Sequence, residues 1–118
     1  DKALRKQVMS IETDSTPLEE PKNPDTCNAF AIYSLLANET QIAEMRANYL
    51  GGNYGYGHAK QALFELITET FKTEREKYNY YINNLEEVDA LLKKGAEKAS
   101  AVADGVLNRV REVLGFGK

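Results

Sequence analysis

Residues 85–114 read LEEVDALLKKGAEKASAVADGVLNRVREVL. Within this run Val88, Leu92, Gly95, Ala99, Val102 and Val106 recur at alternating steps of four and three, and Val110 and Val113 continue the series. That is an a/d-type helical seam. Gly95, Ala96, Ala99 and Ala103 are small enough to let a neighbouring helix approach closely. Gly115 then stops the helix in the usual C-terminal manner. Working upstream, Asn83 and Asn84 interrupt the chain, and before them a long helix fits His58 to Ile82. Its periodic apolar positions are Leu63, Phe64, Leu66, Ile67, Phe71, Tyr78 and Tyr81. Gly51-Gly52-Asn53-Tyr54-Gly55-Tyr56-Gly57 breaks the chain ahead of it.

A third helix precedes this glycine-rich turn, with Ile42, Met45, Tyr49 and Leu50 inward. It is opened by a capping box in which Asn38 is the N-cap and Gln41 stands at N3. A second helix fits Asn28 to Ala37, capped by Asp25 or Thr26, with Phe30, Ile32, Tyr33, Leu35 and Leu36 on its apolar face. The first helix carries Leu4, Val8 and Ile11 on one face, with Asp1 as N-cap and its end near Ser10. Between these two helices, Glu12 to Thr26 contains Pro17, Pro21 and Pro24, which remove backbone donors and favour an extended loop. No strand alternation stands out. The reading is an all-α bundle of about five helices over residues 1–118, with a Pro-rich loop after the first helix and a Gly-rich turn before the long fourth. Leu66 and Leu92 are expected in its core.

Composition agrees with a single globular domain of 118 residues, 42% hydrophobic and 28% charged. The longest apolar run, Ala29 to Tyr33, is far too short to span a membrane, and no N-terminal segment resembles a secretory signal. One cysteine, Cys27, cannot pair internally and fits a reducing compartment; with a single histidine it also argues against structural zinc. The net charge of −3 argues against gripping nucleic acid, DNA above all, by bulk positive charge. The sequence starts at Asp1 with helical periodicity already running, and is read as a piece of something longer.

The chemistry-bearing motifs are few. No GxxxxGK[ST] phosphate loop, metal-ligand cluster or nucleophile–base pair is present, so no catalytic, cofactor or metal residue is assigned. His58 and Lys60 lie in the first turn of a helix beside Gly57, where backbone N–H groups favour an anion such as an RNA phosphate; a flexible turn with a solvated lysine is the plainer alternative. Tyr54, Tyr56, Tyr78, Tyr80 and Tyr81 offer faces for stacking on unpaired bases, although most fit core or core-edge positions. Thr13, Asp14, Ser15 and Thr16 read either as turns closing the first helix or as a hinge beside another domain.

The run Lys6-Gln-Val-Met-Ser-Ile-Glu-Thr-Asp-Ser15 resembles the segment that follows the KMSKS loop in bacterial tryptophanyl-tRNA synthetases. The similarity extends in order through Pro17 to Lys22, Asn23-Pro24-Asp25, Asn28 to Tyr33, Gly55-Tyr56-Gly57-His58-Ala59-Lys60 with Leu63, and Gly95 to Ala99. Val8 replaces the family's usual isoleucine at similar volume. The resemblance implies the C-terminal helical anticodon-binding domain of a class I tryptophan–tRNA ligase, with the KMSKS loop just upstream of Asp1 and the Rossmann-like catalytic domain missing. It further implies a cytoplasmic, homodimeric parent enzyme that uses ATP with Mg. The piece itself would be monomeric and inactive alone, meeting the anticodon region of tRNA(Trp) and its own catalytic domain. On this reading Lys60, Tyr56 and His58 are the candidates for RNA contact, and Thr13, Asp14 and Ser15 those for the interdomain hinge. The competing reading is a non-enzymatic helical protein–protein interaction module built on the Val88 to Val106 seam.

Overall fold

Local signals set most of the helix ends in the computed structural model, which describes residues 1–116. Among the described residues there are six α-helices and no strand: α1 (Lys2–Met9), α2 (Asn28–Leu36), α3 (Glu39–Gly51), α4 (Tyr56–Thr70), α5 (Lys72–Ile82) and α6 (Leu85–Val113), with one 3₁₀ turn at Pro24–Thr26. The Asn38 side chain accepts from Gln41 N–H at 2.9 Å while the Gln41 side chain accepts from Asn38 N–H at 3.0 Å, so the expected capping box forms. Asp1 occupies the N-cap of α1 without a side-chain cap bond. Asp25 and Thr26 do not cap α2. They belong to the 3₁₀ turn, which Asn23 caps by accepting from Asp25 N–H at 2.9 Å.

The chain divides into two compact units, residues 1–72 and 73–118. In the first, α1 and α2 both pack on α4. The core comprises Val8, Cys27, Ala29, Phe30, Tyr33, Met45, Tyr49, Ala59 and Leu63, with Leu4, Ile42 and Leu66 among the half-buried residues around it. Tyr49 is its hub: its ring meets Phe30 at 5.4 Å, Tyr54 at 6.0 Å and Tyr56 at 6.2 Å between centroids. Its buried hydroxyl is 3.3 Å from the Cys27 Sγ, which gives a phenol in an apolar setting its polar partner. Burial, first, and the Cys27 contact push that phenol well above its ordinary range. Ile32 and Leu35 do not join the core as the stripe on α2 predicted; Leu35 is 83% exposed, and the buried positions are Ala29, Phe30 and Tyr33. Leu50 is also exposed.

The long helix expected over residues 58–82 is two helices. α4 begins at Tyr56 and ends at Thr70, and Phe71, at φ −103° and ψ 21°, separates it from α5. Neither glycine nor proline marks the break. The Thr68 hydroxyl donates to Phe64 C=O at 2.8 Å, a back-bond that competes with the helical ladder just before its end.

In the second unit, Asn83 and Asn84 do interrupt the chain, and their side chains donate to Asn79 and Tyr80 C=O at 2.8 and 2.7 Å, capping the C-terminus of α5. The Tyr80 hydroxyl donates to Glu87 at 2.6 Å and ties α5 to the start of α6. Beyond Val113, Gly115 takes φ +79°; its N–H donates to Glu112 C=O and that of Phe116 to Arg111 C=O, completing a Schellman stop. No residue of α5 or α6 is buried. Leu92, expected in the core, is 66% exposed. A seam pattern records which positions share a face, not what covers them.

Candidate functional site

The candidates for RNA contact and for the hinge, Thr13, Asp14, Ser15, Tyr56, His58 and Lys60, fall in the first unit, the last three in the first turns of α4. The polar run after α1 forms an Asx turn, in which Asp14 Oδ1 accepts from Thr16 N–H at 2.9 Å. The same oxygen accepts from the Tyr56 hydroxyl at 2.6 Å. The hinge candidates and the RNA-contact candidates, 42 positions apart in sequence, are thereby joined. Hydrogen bonds from Thr16, then from Tyr56, hold the Asp14 carboxyl down at about 2. Burial, and secondarily the bond to the Asp14 anion, push the Tyr56 phenol up to about 12. The side chains of Thr13 (half-buried) and Ser15 (exposed) make no hydrogen bond among the described residues.

Lys22 is the residue the sequence did not flag. It is only 2% exposed, and its ammonium donates to the carbonyls of Pro17 at 2.9 Å, Glu20 at 3.1 Å and Leu18 at 3.3 Å. The same ammonium lies 5.4 Å from the centroid of the Tyr56 ring. Its backbone N–H donates to Tyr49 C=O at 2.7 Å. One lysine thus winds residues 17–20 around its own charge and seats them beside Tyr56. Nothing in a Pro-Lys-Asn triplet announces this, because the three acceptors are backbone atoms. Gly52 meets the same loop: at φ +74°, it lies so near that a Cβ would stand 2.6 Å from Glu19 O.

His58 is exposed, and its Nδ1 accepts from Gly55 N–H at 3.3 Å. Its ring lies 5.6 Å from that of Tyr54. Lys60 is half-buried rather than solvated; its ammonium donates to Met9 C=O at 3.1 Å and closes the C-terminus of α1. Arg5 also reaches α4, donating to Gln61 at 3.2 Å. Tyr54 and Tyr56 are half-buried around Tyr49, whereas Tyr78, at 65% exposure, is the most open of the five tyrosines considered for stacking.

The hydrogen bonds of this arrangement fix the loop and the ends of the helices around the start of α4. No nucleophile faces a base, and no group of three or more His, Cys, Asp or Glu among the described residues could hold a metal. The Gly-rich turn lacks the following Lys-Ser/Thr of a phosphate loop. Among the described residues no helix is long and apolar enough to cross a membrane.

No protein-family model matches the chain. A tryptophan–tRNA ligase of Fusobacterium nucleatum is 46% identical over 115 residues, covering 98% of this chain and 35% of its own length. A tryptophan–tRNA ligase of Campylobacter jejuni is 40% identical over 116 residues, covering 98% of this chain and 36% of its own. The crystal structure of tryptophanyl-tRNA synthetase from Campylobacter jejuni complexed with ADP and tryptophan superposes with a TM-score of 0.92 at 40% identity, over 97% of this chain and 36% of that one. The chain spans about a third of the length of the relatives it matches.

Proposed function

The chain is homologous to the C-terminal part of tryptophan–tRNA ligases, and from that premise we propose that residues 1–118 are the helical anticodon-binding domain of such an enzyme. The parent activates tryptophan with ATP and Mg and attaches it to tRNA(Trp), in the cytoplasm and as a homodimer. This domain contributes recognition of the anticodon region and contact with its own catalytic domain. Alone it is monomeric and inactive. The observation that carries the reading is the end-to-end match, at 0.92 in TM-score, to a synthetase that holds ADP and tryptophan.

Within the domain, the start of α4 faces RNA, with His58 outward and Tyr56 and Lys60 beside it. The exposed His58 ring supports this, as does the second anchoring of that turn through Tyr56 to Asp14. Thr13, Asp14 and Ser15 form the hinge strip, supported by the Asx turn in the strip that follows α1.

Filter binding of the 118-residue chain to tRNA(Trp), against a tRNA with another anticodon, tests the reading. Preference for tRNA(Trp) is expected; equal binding or none overturns it. In a pyrophosphate-exchange assay the chain alone is expected to read background, and tryptophan-dependent exchange would reject the domain assignment.

One observation favours a second reading, a helical protein-interaction module: Leu92, Val102 and Val106 on the α6 seam are 66%, 71% and 46% exposed. Concentration-dependent self-association or capture of a helical partner, without tRNA binding, is the outcome that selects it.

A further inference from the structure

In a chain of net charge −3, contact with RNA phosphates calls for a local cluster of cations. The first unit has seven: Lys2, Arg5, Lys6, Lys22, Arg46, Lys60 and Lys72. Three of these are committed elsewhere. Lys22 is buried on three carbonyls, Arg46 pairs with Asp25 at 2.7 Å, and Lys60 donates to Met9 C=O. Three of the remaining four fall within five residues on α1, which contains no acidic residue. Leu4 and Val8 turn toward α4, so Lys2 and Lys6 stand on the outward side, both exposed. Arg5 stays exposed beside them while it bonds to Gln61.

We propose that the outward face of α1 binds the sugar–phosphate backbone of RNA, with Lys2 and Lys6 as the phosphate-contacting residues. Their i, i+4 spacing sets the two Cβ atoms about 5–6 Å apart, so both long side chains reach along one strand. Lys2, Arg5 and Lys6 surround an open depression completed by Ala3 and Met9, an apolar floor between cationic walls. That combination fits a nucleic-acid strand, which offers phosphates to the walls and sugar or base surface to the floor. The site lies on the face of α1 opposite α4, apart from His58 at the α4 start. It reassigns the electrostatic work from Lys60, which the fold uses, to two lysines that the fold does not.

This inference rests on the RNA-binding reading above, and its test separates the two. Binding of the 118-residue chain to tRNA(Trp) is measured across a salt series for the unchanged protein, the Lys2→Ala/Lys6→Ala variant and the Lys2→Arg/Lys6→Arg variant. Alanine is a strong helix former, and both positions are exposed, so the fold is kept; matching circular dichroism checks this. The alanine variant is expected to bind several-fold more weakly at low salt, with a log–log salt slope shallower by about 1.5, the release from two phosphate contacts. The arginine variant is expected to keep the original slope. An unchanged slope in the alanine variant overturns the proposal while the RNA-binding reading stands. If the unchanged protein does not bind tRNA(Trp), that reading fails and the proposal fails with it.

Discussion

The Tyr56 hydroxyl donates 2.6 Å to Asp14 Oδ1, and this one bond fastens the strip after α1 to the first residue of α4. Around it, Lys22 seats the loop, and Lys60 and Arg5 tie α1 to α4. The strip that the sequence offered as a hinge is anchored on the same turn as the RNA-contact candidates.

The Asp14 carboxyl supplies a pH prediction. Its folded-state value of about 2 lies below the ordinary 3.8, so it stabilises the fold above that ordinary value, and the contribution is lost as pH falls through about 2. Tyr56→Phe removes the second largest cause and leaves the Thr16 bonds. The carboxyl is expected to titrate part of the way back toward 3.8, with acid unfolding beginning at higher pH; carboxyl-carbon NMR titration reads both. An unmoved Asp14 titration would show that the Tyr56 bond contributes nothing.

Leu63 and Leu92 form a matched pair. Leu63 is fully buried, and Leu63→Ala is expected to cost about 2–5 kcal/mol in urea unfolding. Leu92 is 66% exposed, and Leu92→Ala is expected to stay within about 0.5 kcal/mol. Equal losses would mean that α6 is covered in solution.

Two adjacent glycines are expected to respond with opposite signs. Gly51→Ala adds a helix former at the end of α3, with nothing within 4 Å of the new Cβ, and is expected to be neutral or to stabilise by up to about 1 kcal/mol. Gly52→Ala places its Cβ 2.6 Å from Glu19 O at φ +74° and is expected to cost about 1–3 kcal/mol. Thermal melts of the two variants decide it.

Lys22→Met keeps the stem and removes the ammonium from three carbonyls. A loss of at least about 2 kcal/mol is expected, from charge-assisted bonds in a buried setting. Limited proteolysis is expected to move to residues 17–20. A variant as stable and as protease-resistant as the parent would mean that the loop holds itself.

The features legible in the sequence are those decided over a few residues. The Asn38–Gln41 box, the Asn83–Asn84 interruption and the Gly115 stop each depend on a side chain or a φ angle acting on its own turn. The all-α class follows from them together with the 3.6 period. The partners of the candidate residues were not legible: Tyr56 bonds to Asp14, His58 to Gly55 and Lys60 to Met9.

Which apolar face is covered was left to the tertiary structure. Leu35 and Leu92 carry the same periodic signature as Phe30 and Leu63, yet only the latter pair is buried, because burial requires a second surface that no one-dimensional pattern contains. The fates of the lysines were decided the same way. Lys22, Lys60 and Lys6 are alike as residue types; backbone carbonyls from distant turns or a nearby loop claim the first two, and none reaches the third. Helix positions follow from short-range sterics and hydrogen bonds written in the sequence, whereas core membership and the free charge of a side chain depend on which atoms folding brings beside it.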